Sequence, residues 1–268
     1  HVVCRRQRQM CIRDRGPGVT SLSLGDRVAY ASPPPGSYAE ERNINANAVV
    51  KVPDSVSDKV AAALMLKGLT AQYLIRQIHK VGPSDTILIH AAAGGVGLIV
   101  CQWAKKLGAT VIGTVGSDEK AALASDNGCD YPIVYTRENF VDKVLEITSG
   151  NKLPVVYDSV GKDTFEQSLN CLRPLGKMIS FGQSSGSIPP VDLGVFAQKG
   201  SLSFTRPTLF HYASDKERLD AMAQDLFGVV ASGDVRIRID QEFPLKEARA
   251  AHELLEARKT TGSTILLP

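Results

Sequence analysis

The stretch Ile89-His90-Ala91-Ala92-Ala93-Gly94-Gly95-Val96-Gly97-Leu98 carries the most chemistry in this chain. It lies between an apolar run that reads as a strand and a run that reads as a helix, the setting in which glycines bind a dinucleotide. Set against G-x-G-x-x-G, the first glycine is replaced by Ala92. Gly94 has no Cβ, so the backbone can approach a pyrophosphate, and Gly97 lets the helix pack closely on the sheet. Free N–H groups at the helix start face an anion, helped by the helix dipole. A tight turn with a structural role alone is the other reading of the same glycines.

The end of the following strand selects between dinucleotides. An acid there accepts bonds from the adenosine ribose and repels a 2′-phosphate. Gly116 or Ser117 occupies that position, and both are uncharged. Lys120, one helical turn on, suits a phosphate. Asp118 argues the other way, being close to the roughly 20-residue spacing of a ribose-binding acid, unless it caps the next helix. The balance favours NADP.

Other patterns carry less. Gly182-Gln183-Ser184-Ser185-Gly186 matches the G-x-S-x-G of a hydrolase elbow, which must lead straight into a helix. Pro189 and Pro190 follow instead, and Asp215 and His252 fall in the wrong order for a triad. Tyr212 and Lys216 have Y-x-x-x-K spacing but sit in what reads as a loop before a helix. The five histidines show no metal-binding pairing, and His90, at a strand end, reads as a satisfied core histidine. Cys101, Cys129 and Cys171 are single and widely spaced, without zinc spacing, and read as small buried hydrophobes in a reducing cytoplasm.

The glycine turn needs a sheet beneath it, and the sequence supplies one. TILIHAA, TVIGTV, YPIVY, VVYDSV, KMISFG and SLSFTRP are short apolar strands separated by helical segments. That alternation predicts an α/β fold with a parallel, doubly wound sheet. Before it, residues 25–53 read as β, followed by a helix capped by Ser55 or Ser57. A second helix is expected after Gly68, with Thr70 as its cap. After Pro207 the pattern loosens into helix, strand, helix and strand. The expected division is a basic head at 1–18, a β-rich segment at 19–69, the dinucleotide-binding domain at 70–207 and a return at 208–268.

The 268 residues are 43% hydrophobic and 22% charged, as in a globular protein, with net charge +3. No apolar run nears the roughly 20 residues that cross a bilayer, so no membrane partner is expected. Residues 1–15 hold five arginines and one acid, a local +4, which leaves −1 on the other 253 residues. The basicity therefore belongs to the head. It reads as a nucleic-acid arm or, by preference, as a non-native or disordered remnant, so nucleic acid is not an expected partner.

GDRVAY, KGLTAQYLI, HAAAGGVGLI, CQWAKKLGA, IGTVGS, VVYDSVG, SFGQSSG and the closing TRP occur in order, and with them the chain resembles the zinc-free, NADPH-dependent quinone oxidoreductases. These are zeta-crystallin-like members of the medium-chain dehydrogenase/reductase superfamily. The resemblance implies a Rossmann domain inserted in a partial GroES-like catalytic domain. It implies reduction of a small-molecule quinone or enone by NADPH without metal and without a catalytic side chain. Thr70, Gly94, Gly95 and Val96 would lie along the pyrophosphate and nicotinamide. Gly116, Lys120 and Tyr135 would surround the 2′-phosphate. Ser159, Phe181, Gly182, Gln183 and Ser184 would line the cleft, and Arg258 would reach back to the cofactor. The strand at Ser201–Pro207 would pair across a homodimer. The resemblance also implies a longer segment before Gly25 than this chain has, so a truncated, inactive reductase is an alternative. A non-enzymatic NADPH-binding protein of crystallin or RNA-binding type is another.

Overall fold

The computed structural model describes residues 2–5, 11–31, 35–257 and 260–268. The chain forms two compact units, His1–Gln72 with Leu209–Pro268, and Tyr73–Thr208.

In the first unit, β1 (Val2–Arg5) pairs antiparallel with β2 (Ile12–Arg15), and β3 (Val28–Ala29) follows. The opposite edge of β1 takes β4 (Glu41–Ile44), while β3 pairs with β5 (Val50–Lys51). Ile12, Leu22, Val28, Ile44 and Val49 form a core beneath these strands. Against the expectation of a non-native or disordered head, its described residues include the paired strands β1 and β2. Only Ile12 of β2 faces inward, at 1% exposure, and the other three side chains meet solvent. A strand with one buried residue tolerates arginines, which hid it in the sequence. Those arginines are also engaged: Arg13 pairs with Glu41 at 3.0 Å, and Arg15 donates to the Leu22 carbonyl at 3.0 Å.

Helix α1 (Asp58–Gln72) starts where the Val60 N–H meets the Ser57 hydroxyl at 3.3 Å. It runs unbroken through Gly68, where a second helix was expected to begin. A Cβ on Gly68 would lie 2.6 Å from the Leu226 side chain. That glycine serves a close helix crossing and does not stop the helix. The Thr70 hydroxyl donates to the Leu66 carbonyl at 2.8 Å, within the helix, so Thr70 is not a cap. The chain leaves this unit in a π-helical turn, Tyr73–Ile78.

The second unit alternates strand and helix: β6 (Thr86–His90), α2 (Gly95–Lys106), β7 (Thr110–Val115), α3 (Asp118–Asp126), β8 (Tyr131–Val134), α4 (Phe140–Ile147), β9 (Leu153–Asp158), α5 (Phe165–Asn170), β10 (Leu172–Ser180), α6 (Gly194–Gln198) and β11 (Ser203–Thr205). The strands are all parallel, in the order β11-β10-β9-β6-β7-β8. In order of appearance this is 3-2-1-4-5-6, the arrangement of dinucleotide-binding sheets. Leu88, Ile112, Val156 and Met178, one from each central strand, pack with Phe140, Val144, Phe165 and Leu169. Ser117 caps α3 and Asn139 caps α4, while Gly108 and Gly128 take positive φ just past α2 and α3. The chain then re-enters the first unit through α7 (Leu209–Tyr212), α8 (Lys216–Ala231), β12 (Ile239–Pro244), α9 (Ala248–Glu256) and β13 (Ser263–Leu267), with β12 and β13 parallel. Among the described residues no helix is long and apolar enough to cross a membrane.

Gly113 in β7 shows how tightly the sheet meets the glycine turn. A Cβ there would lie 2.5 Å from the Ala92 Cβ and 2.7 Å from the Cys129 sulfur. The alanine at the fingerprint's first position is thus accommodated by a glycine on the neighbouring strand. We expect Gly113→Ala to lower the unfolding free energy by about 1–3 kcal/mol, the usual cost of overpacking. Combining it with Ala92→Gly should recover part of that loss in chemical denaturation, and the Cys129 contact should hold back the rest.

Candidate functional site

The strand order turns at β6: the chain goes to β7 on one side and later to β9 on the other. Loops leaving β6 and β9 diverge there, and the crevice at the strand C-termini is where such sheets hold ligands. Three groups of residues in the second unit stand along that edge.

The first is the turn between β6 and α2. Ala91 takes φ 55°, the left-handed region, and the Gly94 N–H returns to the Ala91 carbonyl at 2.8 Å. Gly94 precedes α2 in an extended conformation without a side-chain cap. The N–H groups of Gly95, Val96 and Gly97 therefore have no acceptor within the helix. A Cβ at Gly97 would stand 2.4 Å from the Ala91 carbonyl oxygen, and one at Gly94 3.0 Å from it. This bare cradle of amides at the positive end of a helix fits a pyrophosphate.

The second group gathers at the ends of β7 and β8. A Cβ on Gly116 would lie 3.1 Å from the Tyr135 hydroxyl, so Gly116 and Tyr135 are neighbours. The Ser117 hydroxyl accepts from the Lys120 N–H at 3.4 Å, which makes Ser117 the cap and places Asp118 in the first turn. The Lys120 ammonium has no partner among the described residues. Asp118 is held by Arg137 through two bonds of 2.6 and 2.7 Å. That guanidinium draws its carboxyl below the usual range. An uncharged strand end beside an unpartnered ammonium fits a phosphate monoester.

The third group is two loops laid backbone to backbone. The Phe181 N–H donates to the Asp158 carbonyl at 2.8 Å, Ser184 to Ser159 at 3.1 Å and Ser185 to Val160 at 2.9 Å. A Cβ on Gly182 would come within 2.5 Å of the Ser159 carbonyl oxygen. Ser159 and Phe181, Gly182, Gln183 and Ser184 are thereby brought together. No helix follows Gly186 until α6, so the hydrolase pattern is a loop. The Asp158 carboxylate, fully buried, accepts from the Val160 and Gly161 N–H groups at 2.7 and 3.1 Å and from the Thr164 hydroxyl at 2.8 Å.

Beneath these groups runs a row of buried polar side chains on four adjacent strands: Ser180, Asp158, His90 and Thr114. The His90 ring nitrogens meet the hydroxyls of Thr114 and Ser168, each at 2.8 Å, and Phe140 lies edge-on at 5.0 Å. Burial pushes the imidazole pKa down, against the opposing pull of Asp158. His90 is a satisfied core histidine, as its position suggests. Burial likewise holds Cys171 as a thiol, pushed up to about 12. Among the described residues no group of three or more His, Cys, Asp or Glu is placed to hold a metal ion.

Of the remaining expected residues, Thr70 lies in the last turns of α1 in the first unit, and Arg258 falls outside the described residues. The sequence reading missed Arg206. Its guanidinium, just past β11, donates to the carbonyls of Ser180 at 2.8 Å and Gly182 at 3.2 Å and reaches Gln183 Oε1 at 3.4 Å. The only sequence signal was an arginine before Pro207. Asp158 was also missed, although an acid at a strand end before Ser-Val-Gly is an Asx-turn signal.

Comparison with known proteins follows the same line. The family model for "Zinc-binding dehydrogenase" matches residues 95–224. A quinone oxidoreductase of Pseudomonas aeruginosa is 55% identical over 253 residues, covering 94% of this chain and 78% of that protein. The 2-haloacrylate reductase of a Burkholderia species is 48% identical over 263 residues, covering 96% and 78%. The crystal structure of Escherichia coli quinone oxidoreductase complexed with NADPH superposes with a TM-score of 0.93 at 47% identity, covering 96% of this chain and 80% of that one.

Two outcomes follow from the geometry. Arg206→Ala should speed amide hydrogen exchange at Ser184 and Ser185 by about tenfold, since two charge-assisted bonds to the loop are lost. Amides of β6 and β7 should be unchanged, and Arg206→Lys should recover only part. His79, like His90, is pushed down by burial, with Asp85 opposing. Both imidazoles take up protons more readily unfolded than folded. Stability should therefore decline as pH falls below about 6.5, and His90→Gln should flatten part of that slope in denaturant titrations.

Proposed function

The chain belongs to the quinone oxidoreductase family, and from that premise we propose that it reduces quinones or related α,β-unsaturated carbonyls with NADPH. The observation that carries the cofactor choice is the Gly116 strand end beside the unpartnered Lys120. The relatives' names support the substrate class. One acts on 2-haloacrylate, whose C=C bond is conjugated to a carboxylate, and others on quinones. Both are electron-poor π systems that accept a hydride.

Within this reading the helix-start amides of Gly95, Val96 and Gly97 bind the pyrophosphate. Lys120, with Gly116 and Tyr135, receives the 2′-phosphate, an ammonium meeting a dianion. Ser159 and Phe181–Ser184 form the wall nearest the reacting ring, and Arg206 fixes that wall by its backbone carbonyls. Thr70 and Arg258 are further proposed contacts. When bound, the reduced nicotinamide supplies a hydride from its C4. A quinone that accepts it becomes a hydroquinone monoanion and takes its proton from solvent, so no side chain is assigned as acid or base. The residues orient the reactants and keep water out.

The β11 edge supports a homodimer. Phe204 on it is 41% exposed and packs edge-on to Phe165 at 5.7 Å. Leu175 nearby is 79% exposed. An open strand edge that carries an exposed phenylalanine invites pairing with a second copy. The unbridged Cys11, Cys101, Cys129 and Cys171 suit the cytoplasm.

Titrating NADPH and NADH against wild type and Lys120→Ala, with quinone turnover measured alongside, tests the reading. NADPH should bind at least about tenfold tighter than NADH, and the variant should lose most of that margin while NADH affinity stays put. Equal binding of the two, or a margin that survives the substitution, would sink the cofactor assignment. Tight NADPH binding without quinone turnover would remove the enzymatic half.

A further inference from the structure

Asp118 presents a conflict if the mouth of this site is to take a phosphate. Its position, roughly 20 residues after the glycine turn, is that of an acid that accepts the adenosine ribose hydroxyls and repels a 2′-phosphate. The structure keeps that carboxylate occupied. Arg137 Nη1 and Nη2 donate to its two oxygens at 2.7 and 2.6 Å, a fork-on-fork pairing that takes one lone pair on each oxygen and sets a guanidinium charge against the carboxylate. Arg137 comes from the turn after β8, two residues beyond Tyr135, so the pair ties the β7 and β8 loops together beside Lys120. The other acids nearby are bound locally. Glu138 accepts from the Val134 N–H at 3.1 Å, and Glu119 is hydrogen-bonded with Ser117.

We infer that Arg137 determines cofactor preference indirectly, by neutralising Asp118 so that the mouth accepts a phosphate and presents a weakened acceptor to an unphosphorylated ribose. This rests on the proposed NADPH binding. Both side chains are more than half exposed, 56% for Arg137 and 71% for Asp118. An exposed ion pair of this kind adds little to stability. Its effect is expected in the choice of ligand, and the variants should fold. The pair acts by charge, so its influence should shrink as salt screens the mouth.

The experiment is a double-mutant cycle read by dissociation constants. NADPH and NADH are titrated calorimetrically against wild type, Arg137→Ala, Asp118→Ala and the double variant, at low and high ionic strength, with melting temperatures recorded. Arg137→Ala should cut the NADPH-over-NADH margin by about tenfold, through weaker NADPH and tighter NADH binding. The double variant should regain most of the margin, because the freed carboxylate is gone, and melting temperatures should move little. An unchanged margin in Arg137→Ala overturns the inference and leaves the NADPH assignment standing. A double variant as poor toward NADPH as Arg137→Ala, with NADH unaffected, also overturns it, since Arg137 would then be contacting the phosphate itself. A wild type without any margin overturns the NADPH assignment and this inference with it.

Discussion

The second unit depends on one close approach of backbone to backbone. At Gly97 the first turn of α2 lies so near the carbonyls of Ala91 and Ala92 that no side chain fits. That contact presses the helix start onto the end of β6 and holds Ala91 in a left-handed conformation that alanine rarely adopts. The same displacement puts Ala92 over β7, where only glycine at 113 leaves room. Ala91 and Ala92 in the turn, Gly97 in the helix and Gly113 on the neighbouring strand are thus tied together by one close approach. The exposed amides of the helix start are its product: a side chain at 97 would push α2 away and turn those N–H groups from the crevice.

Charge is distributed with similar economy. The buried polar row sets a neutral imidazole between two hydroxyls, and the one carboxylate in it, Asp158, is surrounded by backbone N–H groups and a hydroxyl with no cation bonded to it. Rigid polar bonds thereby order the strand ends from below. Above them, Arg206 adds a guanidinium on the carbonyls of Ser180 and Gly182 to the backbone bonds that already join the two loops. At the mouth the Lys120 ammonium is left without a partner among the described residues.

Much of this was legible in the sequence, and the exceptions share a cause. Strand–helix alternation and the glycine turn are written in local patterns, and the structure has them. The strand Ile12–Arg15 was not legible, because its burial rests on one isoleucine among arginines. The helix through Gly68 was misread because glycine breaks helices locally, yet here it answers a neighbour, Leu226, far along the chain. Arg206, Arg137 and Gly113 escaped notice for the same reason. Each acts on a residue that only folding brings near, so its type carries no local signature.

The division of the chain has a consequence in time. The second unit is one continuous stretch, but the first is made from both ends of the chain. During synthesis α1 emerges early, with the face around Gly68 shaped for a helix that has not yet been made. Its partner α8 is translated only after the whole parallel sheet. The early half of the first unit must therefore wait with apolar surface uncovered while the sheet assembles, and the ribosome's order of delivery makes that half the one most in need of protection from its neighbours.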